Sequence, residues 1–305
     1  MKPSIFIQIT SYHDHELYRT VNNAIDRSSG ETYIRFGINC VYDNTNDLNL
    51  SFNSNVAMNI SKAPNDLGMG KGRSIAHSFY NGEDYYFQVD SHSRFDYNWD
   101  LFLIDEIKRY KADGFSKPLI TNYPKPFWYE GTEEKIRGHE EVVTQFYWKD
   151  PLRFSEHRTP MQGTYLNPFN NVRSISVSGG SIFTEGSFLE PNKLIFGDGE
   201  EIFIAARAFT SGYDLLVPSK TFMYHLYYGL EGLNKRKIVP EDFPEETVYL
   251  EAISKKEIRE TLWGSGSIGK YRLGIVRSLK EYGEYAGLDF TTGEVLRNGP
   301  EVLSK

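Results

Sequence analysis

This chain of 305 residues has a single cysteine, no long apolar run and no excess of basic residues. Cys40 is the only cysteine, so no intrachain disulfide can form and a disulfide-stabilised secreted scaffold is excluded. No stretch approaches the roughly 20 apolar residues of a membrane-spanning helix. The 34 Lys and Arg against 41 Asp and Glu give a net charge of −7, which argues against a broad basic face for nucleic acid or anionic lipid.

The amino-terminal segment MKPSIFIQITSYHDHE has no long apolar core followed by small residues, so it is unlike a signal peptide. Together with the single thiol, this leads us to expect a soluble, cytoplasmic protein without a membrane partner. Hydrophobic residues make up 39% and charged residues 25%, as in ordinary globular proteins. Aromatic residues are frequent, with 21 Tyr and 20 Phe, and they serve either as core filling or as stacking surfaces for sugars and bases.

The hydrophobic pattern predicts strands alternating with helices. An apolar run at 4–10, helical spacing at 15–27 and a second apolar run at 33–42 form a βαβ unit, which is typical of an α/β sheet with crossover helices. Further strands are predicted at 84–90, 118–124, 172–184, LIF (194–196) and DLLVP (214–218), with 221–229 as a last strand or a buried turn. Further helices are predicted at 74–80, 99–113, 200–210, 240–262 and 272–286. We expect a loop at 43–55, a Gly-rich turn at 67–74 and a long irregular region at 124–172.

Asp90-Ser91-His92 stands at the end of a predicted strand. Alternate residues of an extended chain point to the same side, so Asp90 and His92 can face one cation together. A carboxylate oxygen with an imidazole nitrogen suits manganese better than calcium. An Asp that merely caps a turn is the alternative interpretation. With an upstream βαβ unit and a later histidine, His225, the pattern indicates a site where a cation neutralises a departing diphosphate.

Two polar turns are further candidates for binding or catalysis. The glycines before Arg73 precede a helix, so free backbone N–H groups there can cradle a phosphate that the Arg73 guanidinium also pairs with. Asp198, Glu200 and Glu201 form an acidic turn, and one of these carboxylates can orient or deprotonate an acceptor hydroxyl. The alternatives are a plain flexible turn and a solvated charge cluster. No zinc-enzyme or hydrolase motif accompanies them.

The chain resembles the GlcNAc-transferase family that includes the cytoplasmic hydroxyproline-polypeptide GlcNAc-transferases. Four segments carry the resemblance, from about residue 4 to 290: IFIQITSYHDHELYRTV, GRSIAHSFYNGEDYYFQVDSHSRFDYNWD, FGDGEEIFIAARAFTSGYDLLVPSKTFMYHLYY and RLGIVRSLKEYGEYAGLDF. The resemblance implies an α/β, Rossmann-like GT-A fold with a mixed sheet and an elaborated C-terminal part. No repeat, low-complexity segment or convincing linker divides the chain, so we expect a single domain over 1–305, with donor binding in 1–123 and acceptor binding plus the C-terminal helices in 124–305.

The resemblance further implies transfer of a sugar, GlcNAc first, from a UDP-sugar to a hydroxyl with retention at the anomeric carbon. The metal, Mn²⁺ or else Mg²⁺, would be bound by Asp90, His92 and His225. The donor would be contacted by Thr10, Ser11, Tyr12, Gly72, Arg73 and Asp90. Catalysis would involve Asp198, Glu200 and Glu201. The chain departs from the family pattern at Ala76-His77, where an Ala-Arg pair is expected.

The acceptor is open at this point. The resemblance implies a protein hydroxyl, whereas a hydroxymethylated DNA base or a glycan is chemically compatible with the same donor. A local DNA groove would need the scattered cations Lys117, Lys125, Lys135, Arg137, Lys149, Arg153, Arg158 and Arg173. A non-catalytic nucleotide-sugar-binding module is a second class of function, which the intact set Asp90, His92 and His225 disfavours.

Overall fold

The computed structural model describes residues 2–42, 52, 55–136, 143–148, 161–166, 173–227, 239–264 and 269–297. The strands in these ranges are β1 (Ser4–Tyr12), β2 (Tyr33–Tyr42), β3 (Asn55–Lys62), β4 (Tyr85–Asp90), β5 (Ser93–Phe95), β6 (Pro118–Thr121), β7 (Lys125–Glu130), β8 (Glu133–Ile136), β9 (Val143–Trp148), β10 (Met161–Leu166), β11 (Ser181–Glu185), β12 (Asp214–Leu216), β13 (Met223–His225), β14 (Leu288–Asp289) and β15 (Glu294–Val295). The helices are α1 (Leu17–Asp26), α2 (Met69–His77), α3 (Trp99–Ala112), α4 (Glu200–Thr210), α5 (Val239–Asp242), α6 (Pro244–Trp263) and α7 (Leu279–Ala286).

A seven-stranded mixed sheet forms the centre, in the order β12-β6-β11-β4-β1-β2-β3. β1 is parallel to both β2 and β4, and β11 is antiparallel to β4 and to β6. The predicted α/β class and mixed sheet are confirmed. Because β1 and β4 run parallel, Thr10 lies beside Asp90, and the polar ends of the two strands meet at one edge.

Helices cover both faces of this sheet. Ile5, Ile7 and Ile9 of β1 pack into one cluster with α1 and α3, whereas Phe6 joins the cluster that contains α4. This alternation along β1 follows the period of two of a strand buried on both faces. Phe36, Phe87 and Trp99 are among the largest fully buried side chains, so much of the aromatic content fills the core.

A smaller sheet, in the order β5-β13-β7-β8, lies at the carboxyl end of β4. β13 is antiparallel to β5, with His225 opposite Ser93, and parallel to β7. The predicted element at 221–229 is therefore a short strand, and its last residue is His225. This pairing brings the later histidine next to the Asp90-Ser91-His92 turn.

Some predicted elements were wrong. β3 was missed because its sequence, NVAMNISK, has few strong β formers and its side chains are partly exposed at the sheet edge. β7 and β8 form a hairpin, and β9 pairs with β10, in the region predicted to be irregular. Of the predicted strand 172–184, only β11 forms in the described residues, and of the predicted helix 272–286 only α7. Most of the predicted loop 43–55 lies outside the described residues.

The predicted Gly-rich turn is in fact the first half of α2. The helix begins after Gly68, whose φ of 97° suits glycine, and Met69 and Gly70 donate their N–H groups to the carbonyls of Phe196 and Ile195. These carbonyls belong to the LIF segment, which forms a turn and loop at the start of α2 and not a strand. A Cβ on Gly70 would lie 2.2 Å from the Asn192 carbonyl oxygen, so the glycine permits this close approach.

Candidate functional site

A cavity of about 430 Å³ opens at the carboxyl end of β4. Its wall combines the start of α2, the end of β4, the segment before β11, the start of α4 and the end of β13. The lining residues include Met69, Arg73, Asp90, Tyr123, Gly179, Gly180, Asp198, Glu200, Glu201, His225 and Tyr227. Residues from both predicted parts, 1–123 and 124–305, thus contribute to one cavity.

Asp90 and His225 line one side of this cavity, and His92 lies next to them. Each offers one ligand atom, and these atoms all lie within 4.8 Å of one another. The His225 Nε2 atom is 3.1 Å from the Asp90 Oδ2 atom, and the two imidazole rings have centroids 4.5 Å apart. The structure therefore brings together the three residues predicted to bind a metal.

The donor set fits a divalent cation. Two ligands each about 2.1 Å from an octahedral cation lie about 3 Å apart, close to the observed Asp90–His225 separation. Burial alone would raise the pKa of Asp90, but the hydrogen bond from His225 and the charges of Arg73 and the histidines lower it well below its usual range. Asp90 is therefore a carboxylate, the form that binds a cation.

Arg73 lies between the cation ligands and the acidic residues of α4. Its side chain is 1% exposed, its Nη2 atom is 3.3 Å from Asp90 Oδ1, and its Nε atom is 3.2 Å from Glu200 Oε1. Nη1 donates to the carbonyl of Gly179. Nη1 and Nη2 thus donate hydrogen bonds, whereas Nε makes only an ion-pair contact and has no hydrogen-bond partner among the described residues. Arg73 joins two carboxylates, and its bidentate contact to phosphate stays a prediction.

Glu200 and Glu201 open α4 and face the cavity together. Gly199 precedes them with a φ of 85°, and Glu200 pairs with Arg73. Glu201 accepts hydrogen bonds from the Gly179 N–H and the Tyr123 hydroxyl, both at 2.9 Å. Asp198 also lines the cavity, but it is exposed on the turn before α4.

Burial raises the pKa of both glutamates. For Glu201, the Gly179 and Tyr123 hydrogen bonds oppose the effect, Glu200 and Asp90 add to it, and the pKa is about 7. For Glu200, Arg73 opposes the rise and Asp90 adds to it. A carboxyl group with a pKa near neutrality can exchange a proton at physiological pH.

Gly179 and Gly180 make room for the charged groups of the cavity. A Cβ on Gly180 would lie 2.4 Å from Asp90 Oδ2, and one on Gly179 would lie 3.0 Å from an Arg73 nitrogen and 3.1 Å from Glu200. Sequence analysis missed these residues because they fell inside a predicted strand. The paired glycines in VSGGSIF were the available signal, since glycine in a strand pattern indicates a close approach.

Four of the predicted donor-binding residues are not among the residues that line the cavity. Thr10 and Ser11 lie near the end of β1, and Ser11 is 2% exposed. The Tyr12 hydroxyl donates to Asp242 of α5. Gly72 is buried in α2, where its N–H bonds to the Gly68 carbonyl and a Cβ would lie 2.1 Å from Thr10 Oγ1. The N–H groups of Met69, Gly70 and Gly72 are thus engaged by carbonyls, so the predicted phosphate cradle does not form from them.

Asp14 is a site residue that sequence analysis missed. It follows β1, is 5% exposed, and its Oδ2 atom is 2.6 Å from His92 Nδ1. Burial opposes its ionisation, but the hydrogen bond and charge of His92 and the Ser91 hydroxyl lower its pKa to about 2. The polar run SYHDHE after the first strand was a signal, yet only the fold shows that Asp14 reaches His92. His77, at the position that departs from the family pattern, stacks on Tyr80 and lies against the Tyr86 ring.

The described members of the predicted DNA groove are each buried or engaged by neighbouring residues. Lys117 lies over the Tyr213 ring, Lys125 is 4% exposed, and Lys135 pairs with Glu133. Arg173 lies over the rings of Phe115 and Tyr285. The other four cations fall outside the described residues. No helix in the part of the chain that the structure describes has the length and apolar character to cross a membrane.

The fold is the GT-A fold of glycosyltransferases. Among solved structures, the chain is similar to GalNAc-T7 with UDP, GalNAc and Mn²⁺, with a TM-score of 0.57 and 18% identity. The match covers 93% of this chain and 55% of that one, so this chain spans about half the length of GalNAc-T7. A second similar structure is S. aureus TarS 1-349 in complex with UDP-GlcNAc, with a TM-score of 0.41, 14% identity and coverage of 85% and 70%.

The chain belongs to the GlcNAc glycosyltransferase family, whose model matches residues 40–262. The match includes Asp90, His92, His225 and the acidic start of α4. A search of curated proteins finds no match.

Proposed function

We propose that this protein is a divalent-cation-dependent, retaining glycosyltransferase that moves GlcNAc from UDP-GlcNAc to a hydroxyl group. One observation carries the proposal: two members of the Asp90, His92 and His225 cluster, Asp90 and His225, line the same cavity as the paired glutamates of α4. A transferase needs both groups, because the metal ligands bind the leaving diphosphate through the cation and the glutamates face the attacking hydroxyl. Family membership and the UDP and Mn²⁺ of the GalNAc-T7 structure make UDP and Mn²⁺ the first choices.

The histidines and Asp90 would hold the cation at the carboxyl end of β4. When bound, the cation supplies Lewis-acid stabilisation of the negative charge that grows on the leaving phosphate oxygen. The His225 Nε2 atom lies 3.1 Å from Asp90 Oδ2, so a proton carried on Nε2 would have to leave before that atom could bind a metal. Arg73 keeps Asp90 ionised and fixed at 3.3 Å, which preserves the ligand's charge.

The transfer exchanges one bond at the anomeric carbon for another. The C–O bond to the diphosphate breaks and its electron pair leaves with UDP, while the acceptor oxygen forms the new bond. The acceptor proton passes to Glu201, whose pKa of about 7 suits a general base. For retention, the acceptor attacks from the face that the diphosphate leaves, and this route needs no enzymatic nucleophile.

Glu200 and Asp198 have different roles in this proposal. Glu200 pairs with Arg73, and its carboxylate offsets the positive charge of the guanidinium that also contacts Asp90. Asp198 is exposed at the rim, where it can accept a hydrogen bond from a sugar hydroxyl. A protein hydroxyl, hydroxyproline first, is the proposed acceptor, because the four resembling segments point to that branch of the family.

Release of UDP tests the donor half of the proposal. The purified chain is incubated with a panel of UDP-sugars, with Mn²⁺, with Mg²⁺ and with chelator, first in water and then with hydroxyproline-containing peptides. We expect UDP-GlcNAc to be hydrolysed slowly with Mn²⁺ and faster with the correct acceptor, and the anomeric configuration of the product to be that of the donor. Asp105→Asn, at an exposed carboxylate of α3 remote from the cavity, is the control for carboxylate variants.

The outcomes separate the competing functions. UDP binding that is indifferent to Mn²⁺, with no release from any donor, would favour the non-catalytic binding module. Transfer to hydroxymethylated DNA, with an affinity that falls steeply with salt, would replace the protein acceptor. A product with inverted anomeric configuration would support the transferase activity but refute attack from the face that the diphosphate leaves.

A further inference from the structure

Asp14 contacts the Nδ1 edge of the His92 ring and is not among the residues that line the cavity. Besides the 2.6 Å contact to His92 Nδ1, it accepts hydrogen bonds from the Ser91 hydroxyl at 2.7 Å and from the Glu16 N–H at 2.9 Å. An ionised carboxylate only accepts hydrogen bonds, so the His92 Nδ1 atom carries the proton. The tautomer of His92 is thereby fixed, and Nε2 is the nitrogen that can bind a cation.

Helix α1 holds the same turn from a second direction. The Thr20 hydroxyl donates to the carbonyls of Ser91 and Ser93 and accepts from the Ser93 N–H at 2.9 Å. Thr20 is fully buried. Asp14 and Thr20 together fix the side chain and the backbone of the turn before any metal binds.

We propose that Asp14 is the positioning residue of the metal site: it holds His92 in the Nδ1–H tautomer and directs Nε2 toward the cation shared with Asp90 and His225. The inference rests on the proposed function, because it needs His92 to be a metal ligand. A metal-bound imidazole whose other nitrogen donates to a carboxylate is both oriented and more basic, and loss of such a carboxylate costs about 10–100-fold in metal affinity. Asp14 supplies that carboxylate from a loop distant in sequence.

Mn²⁺ binding to the full chain without substrate is the primary test, with free Mn²⁺ measured by electron paramagnetic resonance. Asp14→Asn keeps the volume and weakens the acceptor, and we expect its Kd for Mn²⁺ to rise about 10–100-fold. Asp100→Asn is the matched control. Asp100 is also fully buried and accepts three hydrogen bonds, from Ser29 and Thr32, but it lies outside the cavity. The Kd of Asp100→Asn for Mn²⁺ should equal that of the wild type, even if its Tm falls as much as that of Asp14→Asn.

His92→Ala separates the inference from the proposed function. If His92→Ala binds Mn²⁺ as the wild type does, the metal site itself is wrong. If His92→Ala weakens binding but a folded Asp14→Asn does not, only the role of Asp14 is overturned. This comparison is independent of turnover.

A second measurement on the wild type serves if Asp14→Asn does not fold. Long-range ¹⁵N–¹H spectra of histidine-labelled protein at a pH where His92 is neutral report which ring nitrogen carries the proton, with His92→Ala assigning the signal. We expect the Nδ1–H pattern, both without metal and with Mg²⁺. An Nε2–H pattern would overturn the proposal.

Discussion

The two sides of the cavity contain the same chemical group in opposite states. On the cation side, histidines and Arg73 lower the pKa of Asp90 despite its burial. On the α4 side, burial and neighbouring carboxylates raise the pKa of Glu201 to about 7. For Asp90, the charged and hydrogen-bonding partners affect the pKa more than burial does, whereas for Glu201 burial has the larger effect. The cavity therefore has an ionised ligand, Asp90, on one side and a carboxyl group that can take up a proton, Glu201, on the other.

Arg73 connects the two sides. It is fully buried and contacts both Asp90 and Glu200, so its single positive charge is shared. Within the described ranges, Glu201 accepts hydrogen bonds from a hydroxyl and a backbone N–H and has no cationic partner. The positive charge of Arg73 therefore acts on Asp90 more than on Glu201, which accounts for much of the difference between their pKa values. Variants that remove one carboxylate from each side should separate the ligand function from the base function.

Asp90→Asn should have the largest effect. The change removes a cation ligand while keeping the side-chain volume, so we expect kcat to fall about 1000-fold, equivalent to about 4 kcal/mol of transition-state stabilisation. UDP release across a Mn²⁺ titration measures it, alongside Tm. Asp105→Asn should retain full activity, and normal turnover with normal Mn²⁺ dependence in Asp90→Asn would refute the ligand assignment.

Glu201→Gln should come next. Loss of the general base should lower kcat about 100-fold with little change in Mn²⁺ affinity. Wild-type kcat should rise with pH through about 7, where Glu201 ionises, and this limb should vanish in the variant. The exposed Glu284→Gln on α7 is the control. A pH profile that is the same in wild type and Glu201→Gln would show that the proton goes elsewhere.

The sequence predicts the candidate metal ligands and acidic residues but not the residues that position them. The triplet Asp90-Ser91-His92 and His225 were predicted because strand-end position and residue type carry local information. Asp14 was missed because its role depends on a contact across 78 positions, which no spacing rule encodes. The misread glycines of α2 and of 179–180 have the same cause, since glycine signals a close approach without showing whether the approach is within a turn, a helix or a cavity wall.

Glu201→Gln should also change stability, in the opposite direction to activity. The pKa of Glu201 is raised from 4.5 to about 7 on folding, so between these values the folded state binds more protons than the unfolded state. The wild type therefore loses stability as pH rises through that window, and the neutral amide avoids the loss. A rise of about 2.5 in pKa corresponds to about 3 kcal/mol, so we expect a gain of about that size at pH 8, or about 5 °C in Tm, and none at pH 4. A gain of the same size at both pH values would indicate packing and not ionisation.

Tyr123→Phe should have the smallest effect and the most specific one. The Tyr123 hydroxyl donates to Glu201 at 2.9 Å and lowers its pKa, so removing the hydroxyl should raise that pKa further. A hydrogen bond to a charged group contributes about 1.5 kcal/mol, which corresponds to about one pKa unit. The rising limb of the kcat profile should therefore shift up by about one unit, while kcat on the alkaline plateau changes less than about 3-fold and Mn²⁺ affinity is unchanged. Tyr227→Phe alters a cavity tyrosine whose hydroxyl donates to the Pro124 carbonyl, so it should leave the limb in place. If both variants shift the limb equally, the hydroxyl of Tyr123 does not set the pKa of the base.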